Sequence, residues 1–422
     1  MRKSVNSSIL KRIWLIMLSV GPGIFCIGYT IGTGSVTSMA KAGSEFGMQL
    51  LWVLFLSVLF SWVLMEAYGR YAVVTGDTAM HSVRRKIKFG NILAIVIIIG
   101  VITAQWTCLS GILGLTSNML YELIHLFFPK IRPENYWAVL GIAVFMILTL
   151  YSMVLVGKYS FFEKILVIFV TIMGISFIVS MFIVLPQPSE ILKGFVPSIP
   201  NVPGGKLMVA AFVGTTMAAP TFVVRPLLMK GKGWGKENTR EQARDALTAA
   251  VFMFVISGSI MVTATGALFH EGKVINKVLD MVYTLEPIVG KYAVALFVVG
   301  AMSAGLSSVF PIMMVAPLLF ADYRSGKLDI KSRQFKIITA VAGLIGLTVP
   351  ILGANPVMAQ VATQVSAVFV LPFVIVAIII LINRSEMGSY KAGTLLNTGL
   401  VSAFIFSCFI AYTGIMALRQ LL

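Results

Sequence analysis

Two short polar stretches interrupt long apolar runs, and they hold the residue types best suited to binding a small solute. The first is Gly32-Thr33-Gly34-Ser35, within a run that starts near Ile13, and the second lies between Gly214 and Pro220. In an apolar environment an unpaired backbone group is costly, so such interruptions persist only where neighbouring groups or water pair with them. We expect the solute to contact backbone and side-chain groups of Gly32, Thr33, Gly34, Ser35, Thr37, Thr215, Thr216, Met217 and Ala218.

Four other polar residues lie inside or beside apolar runs. Gln364 is expected at the solute site, and Gln105, Thr107 and Arg225 are candidates for gating or coupling. The alternative for the two glutamines is hydrogen bonding between helices. The alternative for Arg225 is a guanidinium that snorkels to the cytoplasmic surface.

No predicted span contains a set of residues for catalysis. His-Asp, Ser-His and metal-ligand groupings do not occur in the spans, and the three cysteines have no C-x-x-C spacing. Glu66 and Arg70, four residues apart near the end of the second span, predict an interfacial ion pair, with a coupling role as the alternative. We therefore predict that the chain is not an enzyme, and we assign it no cofactor and no metal ligand.

The composition is that of a polytopic membrane protein. Hydrophobic residues make up 58% and charged residues 12% of the chain, whereas soluble domains have about 25% charged residues. Apolar runs of about 20 residues mark membrane spans. Eleven are predicted, at residues 13–40, 49–71, 89–113, 137–155, 160–185, 204–228, 247–269, 292–320, 335–352, 356–382 and 396–418.

The basic residues set the expected orientation. Most of the 33 Lys and Arg residues fall in alternate loops, and the positive-inside rule places these loops and the N-terminus in the cytoplasm. An odd number of spans puts the C-terminus outside. We expect a protein of the cell inner membrane whose partners are the lipid bilayer and a small solute or ion. Nucleic acid is not an expected partner, despite the net charge of +17, and the oligomeric state stays open.

The two interruptions lie in the first and sixth predicted spans, five spans apart. Because five is odd, the second set of five spans enters the membrane in the opposite orientation, as in transporters with inverted repeats. The predicted fold class is an all-α integral membrane protein with a 5+5 inverted repeat and broken helices 1 and 6. Its predicted parts are a first repeat over 1–185, an external connection over 186–203, a second repeat over 204–382 and an additional span within 383–422.

Short motifs in a fixed order run along nearly the whole chain. They are Gly21-Pro22, Gly28-Tyr29, Ala42-Gly43, Phe46-Gly47, Leu50-Leu51-Trp52, Val74-Thr75-Gly76, Glu286-Pro287, Gly305 with Ser307-Ser308, Gln364 before Leu371-Pro372-Phe373, and Asn383-Arg384 with Met387-Gly388. In these motifs the chain resembles the Nramp family of divalent-metal transporters. The resemblance implies a LeuT-like fold and transport by alternating access. It also strengthens the expectation that Gln364 lies at the solute site.

The residues that carry the family's metal chemistry are replaced here. The resemblance places the Asp and Asn ligands of Nramp proteins at two positions of the first span. In this chain those positions are Gly32 and Ser35. In the sixth span the family has Met and His, where this chain has Ala218 and Pro220. A shift of one residue would instead bring Met217 into the place of the family's Met. The resemblance therefore extends over nearly the whole chain, but the family's metal-binding residues are not among the residues that match.

The third span has also lost the family's acidic pair, which is linked to proton movement. Ala104 and Thr107 stand in its place, so we expect no proton route of that kind. A site without carboxylate or imidazole favours a hard, partly hydrated divalent cation such as Mg²⁺ over a transition metal. The alternatives are a small anionic or zwitterionic solute held by half-helix N-termini, and a non-transporting sensor.

Overall fold

The computed structural model describes residues 22–419 apart from 129, 131–134, 157–158, 203, 277–279, 281–290 and 328–329. No strand occurs among these residues, which confirms the all-α prediction. Numbered in chain order, the helices are α1 Pro22–Thr30, α2 Thr33–Phe46, α3 Leu51–Thr75, α4 Ala79–Lys86, α5 Gly90–Phe127, α6 Tyr136–Val156, α7 Tyr159–Ile183, α8 Pro188–Lys193, α9 Gly205–Thr216, α10 Ala219–Val223, α11 Arg225–Gly231, α12 Thr239–Leu268, α13 Lys291–Ser325, α14 Arg333–Gly346, α15 Thr348–Leu352, α16 Pro356–Ser366, α17 Leu371–Ile382 and α18 Thr394–Arg419.

The multi-pass prediction is confirmed. Within the described ranges, nine helical stretches are long and apolar enough to cross a membrane. Val167–Ile183 of α7 is apolar but shorter, and the first predicted span corresponds to α1 and α2, with its start outside the described residues. The total of eleven spans, like the division into repeats, stays a prediction.

Two helices extend well beyond the spans predicted from hydropathy. α5 continues to Phe127, past the predicted end at residue 113, and α12 begins at Thr239 instead of residue 247. The added turns of α12 contain Gln242 and Asp245, which are both buried. The hydropathy pattern did not predict these turns, because polar residues lower the mean hydropathy of a segment. Such residues can still be buried where the protein supplies their hydrogen-bond partners.

The two interrupted spans lie side by side in the core. α9 packs against α2, and α10 and α11 pack against α1. α12 covers α2 and α3, α13 packs against α1, α5 and α7, and α16 packs against α5 and α9. α10 is buried along its whole length, and α9 is buried except at Lys206. The unbroken helices therefore enclose the segments in which the sequence places its candidate chemistry.

Both predicted interruptions exist, but each is shorter than the sequence suggested. The first break is at Ile31 and Gly32, and the second is at Met217 and Ala218. The terminal residues of a helix keep helical dihedral angles while their backbone groups lack partners, so unpaired groups do not require unwound residues. The prediction of unwound backbone is therefore wrong for residues that lie in helical turns, namely Thr33, Gly34, Ser35, Gly214, Thr215, Thr216, Ala219 and Pro220.

Pro220 shows how one break is enforced. In a continuous helix the carbonyl of Thr216 would accept the N–H of residue 220, but proline has no N–H. The hydroxyl of Ser61 on α3 donates to the Thr216 carbonyl instead, at 3.0 Å. A side chain from an unbroken helix thus supplies the hydrogen bond that the broken helix cannot make.

Ser61→Ala is expected to lower the free energy of unfolding by about 1–3 kcal/mol, because the Thr216 carbonyl would stay buried without a donor. Ser57→Ala is the matched control. Ser57 is equally buried on the same helix, and its hydroxyl has no hydrogen-bond partner in the part of the chain described. Unfolding of the purified variants in detergent measures both effects, and equal losses would contradict the role given to Ser61.

Candidate functional site

At the first break, the C-terminal carbonyls of α1 meet two serine hydroxyls of α13. Ser308 donates to the carbonyl of Gly28 at 2.7 Å, and the hydroxyl of Ser307 lies 3.4 Å from the same oxygen. In a continuous helix this carbonyl would pair with the N–H of Gly32. The backbone at Gly32 is extended, with φ −94° and ψ −172°, so the hydroxyls replace that lost hydrogen bond.

At the second break, Met217 and Ala218 connect α9 to α10. Their backbones are non-helical, with ψ of 49° and 114°, and both side chains are buried. Neither α2 nor α10 begins with a side-chain cap. In α10, however, Pro220 has no N–H and the N–H of Thr221 donates to the Ala218 carbonyl at 3.0 Å, so α2 offers more N–H groups to another partner than α10 does. Two helix N-termini and two helix C-termini therefore end in the same buried region.

Gln364 fills the space between the two broken spans. A Cβ at Gly34 would lie 2.0 Å from Gln364 Nε2, and a Cβ at Gly214 would lie 2.0 Å from the Gln364 carbonyl oxygen. Glycine at these two positions allows α2 and α9 to approach α16. Gln364 Nε2 also donates to Cys108 Sγ of α5 at 3.0 Å.

Sequence reasoning missed two side chains of this cluster. Gln360 lies one turn before Gln364, its Nε2 is 3.6 Å from Cys108 Sγ, and its Oε1 is buried without a partner among the described residues. Cys108, the other side chain, belongs to no spacing motif in the sequence. The repeat of two amides at i and i+4 in an apolar helix was the available signal, since both side chains then share one face.

Hydroxyl groups line the helices at both breaks. Ser35 lies 3.1 Å from Ser257 of α12, and Thr30 lies 3.3 Å from Thr221 of α10, oxygen to oxygen. Other hydroxyls are buried without a hydrogen-bond partner in the described ranges, and these belong to Tyr29, Thr37 and Thr216. The site thus offers neutral oxygen atoms that are already desolvated.

Thr107 does not join the site. Its side chain is exposed on α5, and its hydroxyl donates to the carbonyls of Thr103 and Ala104 in the same helix. Gln105 is buried on the same helix, one turn before Cys108. Of the three gating or coupling candidates, Arg225 has the most extensive polar contacts.

Arg225 is fully buried, so the expectation that it snorkels to the surface is wrong. Its Nη2 lies 2.7 Å from Asp245 Oδ2 and donates to the Gln242 carbonyl at 3.2 Å, and its Nη1 lies 3.7 Å from Cys26 Sγ. Asp245 Oδ1 accepts the N–H of Gly23 at 3.1 Å. Asp245, the counter-charge, lies in the turns of α12 that precede the span predicted from hydropathy, so the hydropathy pattern did not predict this ion pair.

The same polar network continues to α3. Gln242 Nε2 donates to Glu66 Oε2 at 2.8 Å, and Glu66 Oε1 accepts from Arg70 Nη2 at 2.7 Å. The predicted ion pair between Glu66 and Arg70 is therefore present. Together with Arg225, these contacts connect α1, α3, α11 and α12 on the N-terminal side of α1.

The chemistry of the site follows from these groups. It contains carbonyl, amide and hydroxyl oxygens, helix-end N–H groups, one thiol and the thioether of Met217. Among the described residues, no group of three or more His, Cys, Asp or Glu side chains could hold a metal ion. A dehydrated transition metal requires such ligands, so the arrangement suits a hydrated ion or a polar solute better.

Comparisons with known proteins agree with the fold. A family model described as natural resistance-associated macrophage protein-like, Nramp, matches residues 23–417. A divalent metal cation transporter, MntH, of Caldanaerobacter subterraneus subsp. tengcongensis is 24% identical over 386 residues, which cover 89% of this chain and 87% of that protein.

Two solved structures extend this agreement. A manganese transporter of Eremococcus coleocola matches with a TM-score of 0.71 at 16% identity, covering 97% of this chain and 87% of the other. MhsT in complex with L-phenylalanine matches with a TM-score of 0.68 at 14% identity, covering 94% and 98%. The fold is therefore that of the LeuT-like transporters.

Removing one partner of the buried ion pair is expected to destabilise the protein strongly. Arg225→Met should lower the free energy of unfolding by about 3–5 kcal/mol, because the buried Asp245 carboxyl group would lose its ion-pair partner. The double variant Arg225→Met with Asp245→Leu should recover most of that loss. Lys273→Met is the control, since its ion pair with Glu271 is exposed and is worth about 0.5 kcal/mol. Additive losses in the double variant would contradict the pairing.

Proposed function

The chain belongs to the Nramp family, and from this premise we propose that it is a secondary transporter that moves a hard, partly hydrated divalent cation by alternating access. The relatives named as divalent metal cation and manganese transporters support a divalent cation as substrate. The cation would bind between the breaks at Gly32 and Met217. Placement in the inner membrane with a cytoplasmic N-terminus is part of this proposal, and it rests on the distribution of Lys and Arg.

One observation carries the choice of cation. The groups around the breaks are neutral oxygens together with the Cys108 thiol and the Met217 thioether, and the described residues supply no set of three or more His, Cys, Asp or Glu side chains that could hold a metal ion. Mg²⁺ dehydrates reluctantly and keeps several waters, which amides, hydroxyls and carbonyls can bind. Mn²⁺ in a dehydrated site needs donors that replace its water, and Gly32, Ser35 and Ala218 offer at most one hydroxyl.

The third span supports transport without the family's proton route. A relay for protons inside a membrane needs titratable side chains along the path. Ala104 is buried and has no such group, and the Thr107 hydroxyl bonds within its own helix. We therefore propose that substrate movement does not carry protons along α5.

A second candidate is a small anionic or zwitterionic solute. The uncapped N-terminus of α2 favours it, because a helix N-terminus carries a partial positive charge and unpaired N–H groups. The unpaired hydroxyls of Thr37 and Thr216 would add hydrogen bonds. If this candidate is right, a negative charge introduced at the breaks should weaken binding of the solute, whereas the same charge should strengthen binding of a cation.

Ala218→Asp is expected to increase Mg²⁺ affinity by about tenfold, because a carboxylate would join the neutral oxygens at the second break. Ala218→Asn is the matched control with the same shape and no charge. Uptake of Mg²⁺ and Mn²⁺ into proteoliposomes, with a pH indicator inside, measures both affinity and proton movement. The wild type should take up Mg²⁺ at least as well as Mn²⁺ and should not acidify the lumen.

Other outcomes of this experiment separate the alternatives. Tight Mn²⁺ binding that Ser35→Ala removes would show a dehydrated metal site and contradict the choice of cation. Uptake of a carboxylate solute that Ala218→Asp abolishes and Ala218→Asn retains would favour the second candidate. No uptake of any of these solutes by a correctly folded protein would indicate a sensor.

A further inference from the structure

A cavity lies away from the two breaks, where the C-terminal end of α13 meets the N-terminal end of α14. Its volume is about 700 Å³, within the range of about 300–1,000 Å³ that is typical of sites for small molecules. We propose that this cavity binds an anionic phospholipid, with the phosphate at one end and part of an acyl chain at the other. The inference goes beyond the proposed function, and lipid binding can be measured without any transported solute.

One end of the cavity is basic. It is lined by Arg84 of α4, by Arg324 near the C-terminus of α13 and by Lys327 just beyond that helix. All three residues are exposed, and no carboxylate is among the described residues that line the cavity. A basic end of this kind attracts an anion. Arginine in particular binds phosphate oxygens through paired N–H groups.

Neighbouring groups hold both guanidinium groups at the cavity. Arg84 Nη1 donates to the Tyr323 carbonyl at 3.0 Å, and Arg84 Cζ lies 4.8 Å from the centroid of the Tyr323 ring. Arg324 Nη1 donates to Gln334 Oε1 of α14 at 3.1 Å. Each hydrogen bond uses one of the five N–H donors of a guanidinium, so further N–H groups can donate to a phosphate.

The helices around the basic end are joined by polar contacts. The Asp322 carboxylate of α13 accepts the N–H groups of Met80 and His81 at 2.9 and 3.2 Å, so it caps the N-terminus of α4. The Tyr323 hydroxyl donates to Asn91 Oδ1 of α5 at 2.5 Å. These contacts fix α4 and α5 to the end of α13. Because the basic end is already formed, a ligand does not lose affinity by ordering it.

The other end of the cavity is apolar. Phe320 lies one turn before Arg324 on α13, Pro317 lies two turns before it, and α14 contributes Ile337 and Ile338. Phe320 and Ile337 are 46% and 50% exposed, so this end is open to the side of the helices. Each helical turn rises about 5.4 Å. The apolar groups therefore lie further into the membrane than Arg324, at a depth that suits an acyl chain.

The division into two ends favours a phospholipid over a soluble phosphate compound. A soluble phosphate would use the basic end alone, whereas a phospholipid would also fill the apolar end. The surrounding sequence agrees, because residues 84–88 and 324–336 together contain nine Lys and Arg residues and one Asp. Basic clusters and basic pockets between helices on the cytoplasmic side bind anionic headgroups. In the proposed orientation the lipid would come from the cytoplasmic leaflet.

The direct test is titration of phosphatidylglycerol into the purified protein in an uncharged detergent. Native mass spectrometry measures binding, and thermal unfolding measures stabilisation. Phosphatidylglycerol should bind saturably and raise the unfolding midpoint, because a ligand of the folded state stabilises it. Phosphatidylcholine, which has no net charge, and glycerol phosphate, which has no acyl chain, should both bind more weakly.

Variants of the basic end test the phosphate contact. Arg324→Gln and Lys327→Gln should each weaken phosphatidylglycerol binding by about fivefold, which is typical of one basic residue near an anionic lipid. Arg333→Gln is the matched control, since it removes the same charge from an exposed residue of α14 that does not line the cavity. It should bind the lipid like the wild type.

Variants of the apolar end test the acyl chain. Ile337→Trp should fill this end and weaken phosphatidylglycerol binding while leaving glycerol phosphate binding unchanged. Val341→Trp is the control, because Val341 is exposed one turn further along α14 and does not line the cavity. Unfolding midpoints measured without lipid show that each variant is folded.

Three results would overturn the proposal. Equal binding of phosphatidylcholine would show that the headgroup charge is not recognised. Equal weakening by Arg333→Gln and Arg324→Gln would show attraction to the basic surface in general. Glycerol phosphate that binds as tightly as phosphatidylglycerol, with no effect of Ile337→Trp on the lipid, would show a site for soluble phosphates.

Discussion

The structure depends on pairing the backbone groups that two broken helices leave open inside an apolar core. A carbonyl or N–H without a partner there is costly, and no bulk water reaches it. Unbroken helices solve the problem with serine hydroxyls: Ser61 pairs with the second break, and Ser307 and Ser308 pair with the first. Those hydroxyls are neutral and can either donate or accept, so they pair the open backbone groups without placing a charge at the breaks.

A second polar feature lies at the other end of α1. The ion pair of Arg225 and Asp245, extended through Gln242 and Glu66, connects the broken spans with α3 and α12. A buried pair of this kind contributes little net stability, but it strongly resists separation of its partners. Movement of α1 away from α12 would have to break the contact of Gly23 with Asp245 or carry both helices together. The network therefore restricts which motions can open this end of the site.

Fold and ligand chemistry are separable in this protein. The LeuT-like arrangement follows from apolar packing and from two breaks in helices. The absence of a side chain at Gly32 leaves the space that the Ser308 hydroxyl occupies. Membership of the family therefore accounts for the architecture, whereas the function depends on the local groups at the breaks.

The sequence alone determined the membrane class and the two broken spans, because apolar run length and interrupted helices depend only on local composition. It could not give the width of the breaks, since helix ends such as Thr33 to Ser35 stay helical while their backbone groups are unpaired. It also could not reveal the pairing of Arg225 with Asp245 or of Ser308 with Gly28, whose partners are 20 and 280 positions apart. Those contacts exist only once α1, α11, α12 and α13 are packed together, because a buried polar group is tolerated solely where the fold delivers its partner.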